Sequence, residues 1–203
     1  MIIGVTGTSG SGKTTISYLL REKLKCNVVN ADSIAKGLSK KGNDYYNDIV
    51  EYFGEEILDE EQEINRPLLA EIIYGDEEKR KKLNSITNNH VVDIIKKEAF
   101  KFEEDNGIVV IDVPRLIETN LNRICNIVIS VLADVDIKLE RICKRDDMDI
   151  ERAKQRLRIQ PKDEYYINNS DYVVITNGDN AGEQIDNIVS QIIKEKGKNE
   201  FNE

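Results

Sequence analysis

The residues best suited to do chemistry stand near the start of the chain, where residues 7–14 read Gly-Thr-Ser-Gly-Ser-Gly-Lys-Thr. The glycines of this G-x-x-x-x-G-K-[ST] spacing permit consecutive backbone N–H groups to curl around a phosphate. In such a loop the lysine reaches the β- and γ-phosphates and the last hydroxyl can hold Mg²⁺. The spacing therefore predicts a binding site for a nucleotide phosphate chain, with these contacts: Gly7, Thr8, Ser9, Gly10, Ser11, Gly12, Lys13, Thr14 and Thr15.

Two carboxylates follow apolar runs further along the chain. Asp32 ends the sequence Asn30-Ala31-Asp32, which directly follows the run at residues 26–29, and it could accept a proton from an alcohol that attacks a γ-phosphoryl group. Aspartate is equally suited to cap the N-terminus of a helix, and the spacing leaves both functions open for Asp32. Asp112 ends the run at residues 108–111, which is typical of a second Mg²⁺ ligand beside Thr14. A turn residue before Pro114 would give the same pattern.

Arginines are concentrated in residues 144–169, which precede the last apolar run of the chain. Such a segment could close as a lid, surround the transferred phosphoryl group with positive charge and exclude water. Acidic residues occur in the same interval, so a solvated helix face with paired charges is the alternative. The arginines are Arg145, Arg152, Arg156 and Arg158.

Five short, β-branched runs separated by helical stretches must position these residues. They occupy residues 2–6, 26–29, 108–111, 127–132 and 172–175, and the helix after the glycine-rich loop has a regular apolar face. This alternation predicts an α/β fold with a five-stranded parallel sheet covered by helices on both faces. The glycine-rich loop then joins the first strand to the first helix, whose N-terminal dipole adds to its attraction for phosphate.

The long interval at residues 43–106 contains no strand-like run. Its periodicity predicts several helices, among them one over residues 76–86 and a longer one over residues 91–104. An insert of this kind is expected to form a helical acceptor-binding subdomain over the carboxyl edge of the sheet. We therefore expect one domain over residues 1–203, with this insert and the arginine-rich lid inside it.

The composition excludes several classes of protein. A net charge of −9 argues against a nucleic-acid-binding surface, although local arginines and lysines can still bind a small anion. No apolar stretch is long enough to span a membrane, and a first strand that starts at residue 1 or 2 leaves no room for a signal peptide. The three widely spaced cysteines are typical of buried thiols in a reducing compartment. We expect a cytoplasmic protein, and the sequence does not indicate its oligomeric state.

Over nearly its whole length the chain resembles the dephospho-CoA kinases, which phosphorylate the ribose 3′-hydroxyl of dephospho-CoA. The phosphate loop is shared by many families, but the series from Phe-Gly through Asn-Arg to Pro-x-Leu-x-Glu is more specific. The matching residues are 3–7, Ala31, Asp32, Phe53, Gly54, Ile57, Leu58, Ile64, Asn65, Arg66, Leu69, Val113, Pro114, Leu116, Glu118, Arg141, Arg145, Asp146, Arg156, Gln160, Asp171, Asn177 and Gly178.

The resemblance implies a P-loop kinase fold of the nucleoside-monophosphate-kinase type, with Mg²⁺ and ATP as phosphoryl donor and dephospho-CoA as acceptor. It makes Asp32 the catalytic base and places Lys13 and Arg145 on the transferred phosphates. The remaining residues follow the two substrates: Arg141, Asn177 and Gly178 on the ATP side, and Asp32, Arg66, Pro114, Leu116 and Glu118 on the acceptor side.

The chain departs from the family pattern mainly on the acceptor side and in the lid. The departing residues are Asn30, Asn88, Asn89, Arg115 and Asp163. They keep open a related kinase for another nucleotide or nucleoside. A third alternative, from a different class, is an ATP-binding regulator that has lost catalysis. Retention of Lys13, Thr14 and Asp32 argues against the regulator.

Overall fold

The computed structural model describes the backbone of residues 1–104 and 107–200, and the side chains of these ranges as far as residue 194. The strands are β1 (Ile2–Thr6), β2 (Asn27–Asn30), β3 (Val109–Asp112), β4 (Ile127–Leu132) and β5 (Tyr172–Ile175). The helices are α1 (Lys13–Leu24), α2 (Ala31–Leu38), α3 (Asp44–Phe53), α4 (Arg66–Gly75), α5 (Glu77–Glu104), α6 (Val135–Asp146), α7 (Ile150–Arg158), α8 (Asp163–Ile167) and α9 (Ala181–Glu200). No helix in these ranges is both long and apolar enough to cross a membrane.

The strands form one five-stranded sheet in the order β2-β3-β1-β4-β5. The central strand β1 pairs in parallel with β3 and β4, and β4 pairs in parallel with β5. This confirms the α/β fold with a parallel sheet that the alternating runs predict. Because parallel strands end at the same edge, the loops after β1, β3, β4 and β5 leave the sheet side by side.

The chain divides into two compact units, of which the first comprises Met1–Val29 and Ala99–Glu203. Its core is formed by the β1, β3, β4 and β5 side chains together with the apolar faces of α1 and α9. Burial of each such aliphatic side chain contributes about 1.5–3 kcal/mol, so the sheet is the rigid support for the loops at its edge. The fully buried members from the two helices are Ile16, Leu20, Ile185 and Ile192.

The second unit, Asn30–Glu98, is helical and has its own apolar cluster. The cluster draws on α3, α4, the first part of α5 and the short turn at Glu55–Ile57. This unit begins at Asn30, earlier than the insert predicted at residues 43–106, because α2 belongs to it as well.

The two helices predicted at residues 76–86 and 91–104 are a single helix, α5, of 28 residues. The intervening residues include two asparagines, which are weak helix formers, but neither proline nor glycine interrupts the run. Contacts with α3 hold this stretch: the Thr87 hydroxyl lies 3.1 Å from the Tyr45 hydroxyl, and His90 Nε2 lies 2.6 Å from an Asp48 carboxylate oxygen. Tertiary contacts therefore outweigh the low propensity of the asparagines.

Candidate active site

The glycine-rich loop connects β1 to α1 at the carboxyl edge of the sheet. Gly7 has a φ of +139° and Gly10 a φ of +76°, both in the region that side chains disfavour. Space excludes side chains as well, because a Cβ on Gly7 would lie 2.2 Å from the Val131 carbonyl oxygen, and one on Gly10 would lie 2.6 Å from the Lys138 carbonyl oxygen. The loop thus packs backbone against backbone, as the sequence pattern requires.

Lys13 folds back across this loop, and its Nζ donates to the Thr8 carbonyl oxygen at 2.9 Å. Lys13 is the first residue of α1, and Thr14 and Thr15 follow as exposed residues in its first turn. The amine and the two hydroxyls therefore lie at the N-terminus of a helix, where backbone N–H groups and the helix dipole attract anions.

Arg141, from α6, binds the backbone of the phosphate loop. Its guanidinium donates to the Gly10 carbonyl oxygen at 3.2 Å, to the Thr176 hydroxyl at 2.8 Å and to the Thr176 carbonyl oxygen at 2.7 Å. The Thr176 hydroxyl in turn donates to the Ser11 carbonyl oxygen at 2.8 Å. Arg141 and Thr176 therefore tie the phosphate loop to the segment after β5. No sequence motif predicted a role for Thr176, although its place directly after β5 at this edge marks it as a candidate.

The next two residues after Thr176 are Asn177 and Gly178, which are both exposed. The Asn177 side-chain oxygen accepts a hydrogen bond from the backbone N–H of Asp134 at 2.8 Å, which joins the loops after β4 and β5. Apart from its chain neighbours, no atom of the described residues lies within 4 Å of a Cβ built on Gly178. This stretch therefore offers open backbone next to Thr176, which binds the phosphate loop, and its place beside the adenine stays a prediction.

Asp112 is the last residue of β3 and is 2% exposed. It pairs with Val5 of β1, so it lies one residue from the end of the strand that leads into the phosphate loop. The Thr6 hydroxyl donates to the Pro114 carbonyl oxygen at 3.2 Å and links the two strand ends. The Asp112 carboxylate and the Thr14 hydroxyl are hard oxygen donors of the kind that Mg²⁺ prefers, and both come from this edge.

The other residues predicted after β3 differ in accessibility. Leu116 is fully buried, and its side chain lies 2.6 Å from where a Cβ on Gly4 would be, so in this structure it contacts protein. Burial raises the pKa of Glu118, and a backbone hydrogen bond and the nearby Arg115 guanidinium offset only part of this rise. One Arg115 nitrogen and one Glu118 oxygen are buried without a hydrogen-bond partner among the described residues.

Two arginines of the segment at residues 144–169 share one carboxylate. Arg145 binds both oxygens of Asp146 at 2.8 Å, and Arg156 binds one of them at 2.5 Å. Hydrogen bonds from Arg145, together with the charge of Arg156, hold the pKa of Asp146 below its usual value. Asp146 therefore keeps two guanidinium groups close to each other despite their repulsion, and this pairing explains part of the mixed charge pattern of the segment.

In the second unit, Asp32 lies exposed in the first turn of α2. The helix cap is Asn30, whose side-chain oxygen accepts from the Ser33 backbone N–H at 2.8 Å. The alternative that Asp32 caps this helix is therefore wrong, because the cap falls at the last residue of β2. With no capping function, the Asp32 carboxylate stands at the positive end of the helix dipole, and its role as a base stays a prediction.

Arg66 is the first residue of α4, which Asn65 caps through the Leu68 backbone N–H at 3.1 Å. The Arg66 guanidinium donates to the Ser39 hydroxyl at 2.5 Å. Ser39 is 9% exposed and stands at the C-terminal end of α2, the helix that carries Asp32 in its first turn. One short helix thus connects the predicted base to the predicted acceptor-side arginine, a link that no sequence motif indicated.

The phosphate loop lies at the edge of a parallel sheet and is supported by Arg141, and an arginine-rich segment follows it in the chain. These features define a P-loop kinase. The family model for dephospho-CoA kinase matches residues 1–183. The chain belongs to the dephospho-CoA kinase family.

Individual relatives agree with this membership. The chain is 36% identical over 179 residues to a dephospho-CoA kinase of Bacillus cereus, and this alignment covers 88% of this chain and 89% of the relative. It is 34% identical over 199 residues to a dephospho-CoA kinase of Saccharomyces cerevisiae, covering 95% and 83% of the two chains. The solved structure of the dephospho-CoA kinase from Campylobacter jejuni superposes with a TM-score of 0.67 at 22% identity, covering 96% of this chain and 98% of that one, and shows the same fold.

Proposed function

We propose that this protein transfers the γ-phosphoryl group of ATP to the ribose 3′-hydroxyl of dephospho-CoA, the last step of coenzyme A biosynthesis, in the cytoplasm. The observation that carries the proposal is the family match over residues 1–183, which spans the phosphate loop, Asp32 and Arg66 together. An enzyme of this step needs a phosphate cradle, a proton acceptor and a cation for the acceptor's own phosphates. The described residues supply a candidate for each.

On the donor side, backbone N–H groups from the loop bind the ATP phosphates, and Lys13 exchanges its bond to Thr8 for the β- and γ-phosphate oxygens. The Arg145 guanidinium binds the transferred phosphoryl group, and its bidentate bond to Asp146 sets its orientation. Asn177 and Gly178 lie beside the adenine. Fixed positive groups of this kind stabilise the charge of the transition state without reorganising during the reaction.

The chemical step forms a bond between the ribose 3′-oxygen and the γ-phosphorus and breaks the bond from that phosphorus to the β–γ bridging oxygen. ADP leaves with the electron pair of the broken bond. Asp32 accepts the proton of the hydroxyl and later passes it to water. Because the transition state of phosphoryl transfer is loose, positioning the hydroxyl matters more than the basicity of this carboxylate.

Thr14 and Asp112 would hold Mg²⁺, Thr14 by its hydroxyl and Asp112 by its carboxylate, directly or through water. When bound, the ion would neutralise charge on the β- and γ-phosphate oxygens. Arg66 binds an acceptor phosphate, and its bond to Ser39 fixes the direction of its guanidinium. Pro114, Leu116 and Glu118 shape the acceptor side, with the buried Leu116 acting through packing.

A coupled assay of ADP release, with dephospho-CoA in excess over ATP, tests the proposal. Mass spectrometry should find one added phosphoryl group, and the 3′-deoxy analogue of dephospho-CoA should not react. Turnover no higher than the background ATPase rate would reject the function. A parallel panel of nucleosides and nucleoside monophosphates would then identify a kinase for another acceptor, and ATP binding without any transfer would identify a regulator.

Ser39→Ala is expected to raise the KM for dephospho-CoA about three- to tenfold, because it removes a charge-assisted hydrogen bond to Arg66. The KM for ATP should stay within about twofold of the wild-type value, since the Ser39 hydroxyl binds the acceptor-side Arg66 and the Lys36 carbonyl oxygen of its own helix. Initial rates at varied concentrations of each substrate measure both constants. Ser33→Ala, an exposed serine on the same helix, is the matched control. An unchanged KM for dephospho-CoA would show that Ser39 does not orient Arg66.

A further inference from the structure

One glutamine binds the tip of the phosphate loop through both ends of its amide. The Gln160 side-chain oxygen accepts from the Ser9 backbone N–H at 2.9 Å, and its side-chain nitrogen donates to the Ser9 hydroxyl at 3.0 Å. Because a backbone N–H can only donate, the first bond fixes the orientation of the amide. Gln160 and Ser9 are 151 residues apart, and both belong to the first unit.

The position of Gln160 is fixed by contacts on either side of it. Its backbone N–H donates to the Leu157 carbonyl oxygen at 3.1 Å, which continues α7 by one turn. Three residues later, Asp163 binds the amine of Lys138 at 3.1 Å. Lys138 is only 4% exposed, so loss of this ion pair would leave a buried charge without compensation. Gln160 is therefore held between the end of α7 and the ion pair of the buried Lys138 with Asp163.

The backbone of Lys138 also packs directly against the phosphate loop. A Cβ on Gly10 would lie 2.9 Å from the Lys138 Cα, so the α6 backbone packs against Gly10. Ser9 is the residue just before this contact, and Gly7 lies two residues before Ser9. Gly7 and Gly10 are thus packed through their backbones, and Gln160 adds a side-chain contact to Ser9 between them.

We propose that Gln160 is a positioning residue for ATP, which holds the tip of the phosphate loop in its binding conformation and keeps its bonds to Ser9 when ATP is bound. The inference rests on the donor half of the proposed function and not on the acceptor. A loop that is already ordered loses less conformational entropy on binding phosphate, so its affinity is higher. Through the same contact, the segment that follows α7 stays beside the loop.

The test is the Kd of ATP measured without any acceptor, so that its outcome is independent of which alcohol the enzyme phosphorylates. Gln160→Ala is expected to raise the Kd about tenfold, since two hydrogen bonds are lost, and to raise the KM for ATP in parallel. The value of kcat at saturating ATP should change less than about twofold, because Gln160 acts through the loop. Gln155→Ala, an exposed glutamine on α7, is the matched control and should match wild type.

A second substitution separates this contact from a general effect on folding. Ser9→Ala keeps the backbone bond to Gln160 and loses only the hydroxyl bond, so it should raise the Kd of ATP by about threefold. In the Gln160→Ala background the same change should add nothing, because its partner is gone. If Gln160→Ala lowers the Tm, Gln160→Met replaces it, because methionine keeps the aliphatic stem without either hydrogen-bonding group.

Two results would overturn the proposal. An ATP affinity within about twofold of wild type for Gln160→Ala would mean that the contact contributes nothing to the loop's function. Tighter ATP binding by that variant would mean that the contact opposes the bound conformation. Failure to phosphorylate dephospho-CoA, with the expected loss of ATP affinity, would reject the proposed acceptor and leave the role of Gln160 intact.

Discussion

Asp32→Ala is expected to lower kcat for the phosphorylation of dephospho-CoA by about two to four orders of magnitude. The carboxylate is exposed in the first turn of α2 and does not cap that helix, so its removal should affect the reaction far more than the fold. Single-turnover experiments with saturating ATP and dephospho-CoA measure the chemical step directly. The Kd of ATP and the Tm, measured on the same preparation, should stay close to wild type.

The chain offers a matched control for this variant. Asp44 is also an exposed aspartate in the first turn of a helix of the second unit, and Asp44→Ala should leave kcat unchanged. Asp32→Asn keeps the size of the side chain and removes its charge, and it should be as slow as the alanine variant if proton acceptance is the lost function. Transfer at the wild-type rate by either variant would exclude Asp32 as the base.

Gly7→Ala is expected to abolish measurable ATP binding and to destabilise the fold. Its Cβ would lie 2.2 Å from the Val131 carbonyl oxygen, a backbone atom of β4 that cannot rotate away. The φ of +139° adds a strain of about 1–3 kcal/mol for any residue with a side chain. The loop must therefore move away from β4, and the N–H groups that converge on phosphate diverge. Calorimetric titration with ATP and thermal unfolding measure the two effects.

Substitutions of two other glycines, for which smaller effects are expected, serve as comparisons for Gly7→Ala. Gly12→Ala meets no atom closer than 3.5 Å, so only the strain of its φ of +90° acts and the loss of ATP affinity should be smaller. Gly182 lies in α9, and a Cβ built on it has no atom of the described residues outside its own helix backbone within 4 Å, so Gly182→Ala should stabilise the fold by about 0.5–1 kcal/mol. A Gly7→Ala protein with the ATP affinity and Tm of wild type would show that the close packing of this loop is not required.

Most of the fold could be predicted from the sequence because its strands are short apolar runs bounded by polar turns. The runs predicted at residues 127–132 and 172–175 coincide with β4 and β5. The glycine-rich loop could be predicted equally well, since its function depends on the backbone angles of consecutive residues. Where periodicity was weak, the prediction failed: α5 was divided into two helices because nothing local indicates that contacts from α3 stabilise its middle.

The sequence left the cap of α2 undecided for a different reason. Asn30 and Asp32 are both good capping residues, and the choice depends on where β2 ends. Asn30 has extended backbone angles, with φ −107° and ψ 118°, because it is the last residue of the strand, so the helix starts one residue later. A shift of two residues is below what an apolar pattern can resolve. Only the hydrogen bonding of the sheet fixes that boundary.

The sequence by itself determined the class of ligand and the kind of fold, because a phosphate loop and its flanking strand and helix are specified by neighbouring residues. Only the tertiary structure decided which side chains support the site: Thr176 on Ser11, Gln160 on Ser9 and Ser39 on Arg66. The first two pairs are separated by 165 and 151 residues. Hydrogen bonds between such distant residues depend on distances of about 3 Å that exist only once the sheet and helices have packed, and no local pattern encodes them.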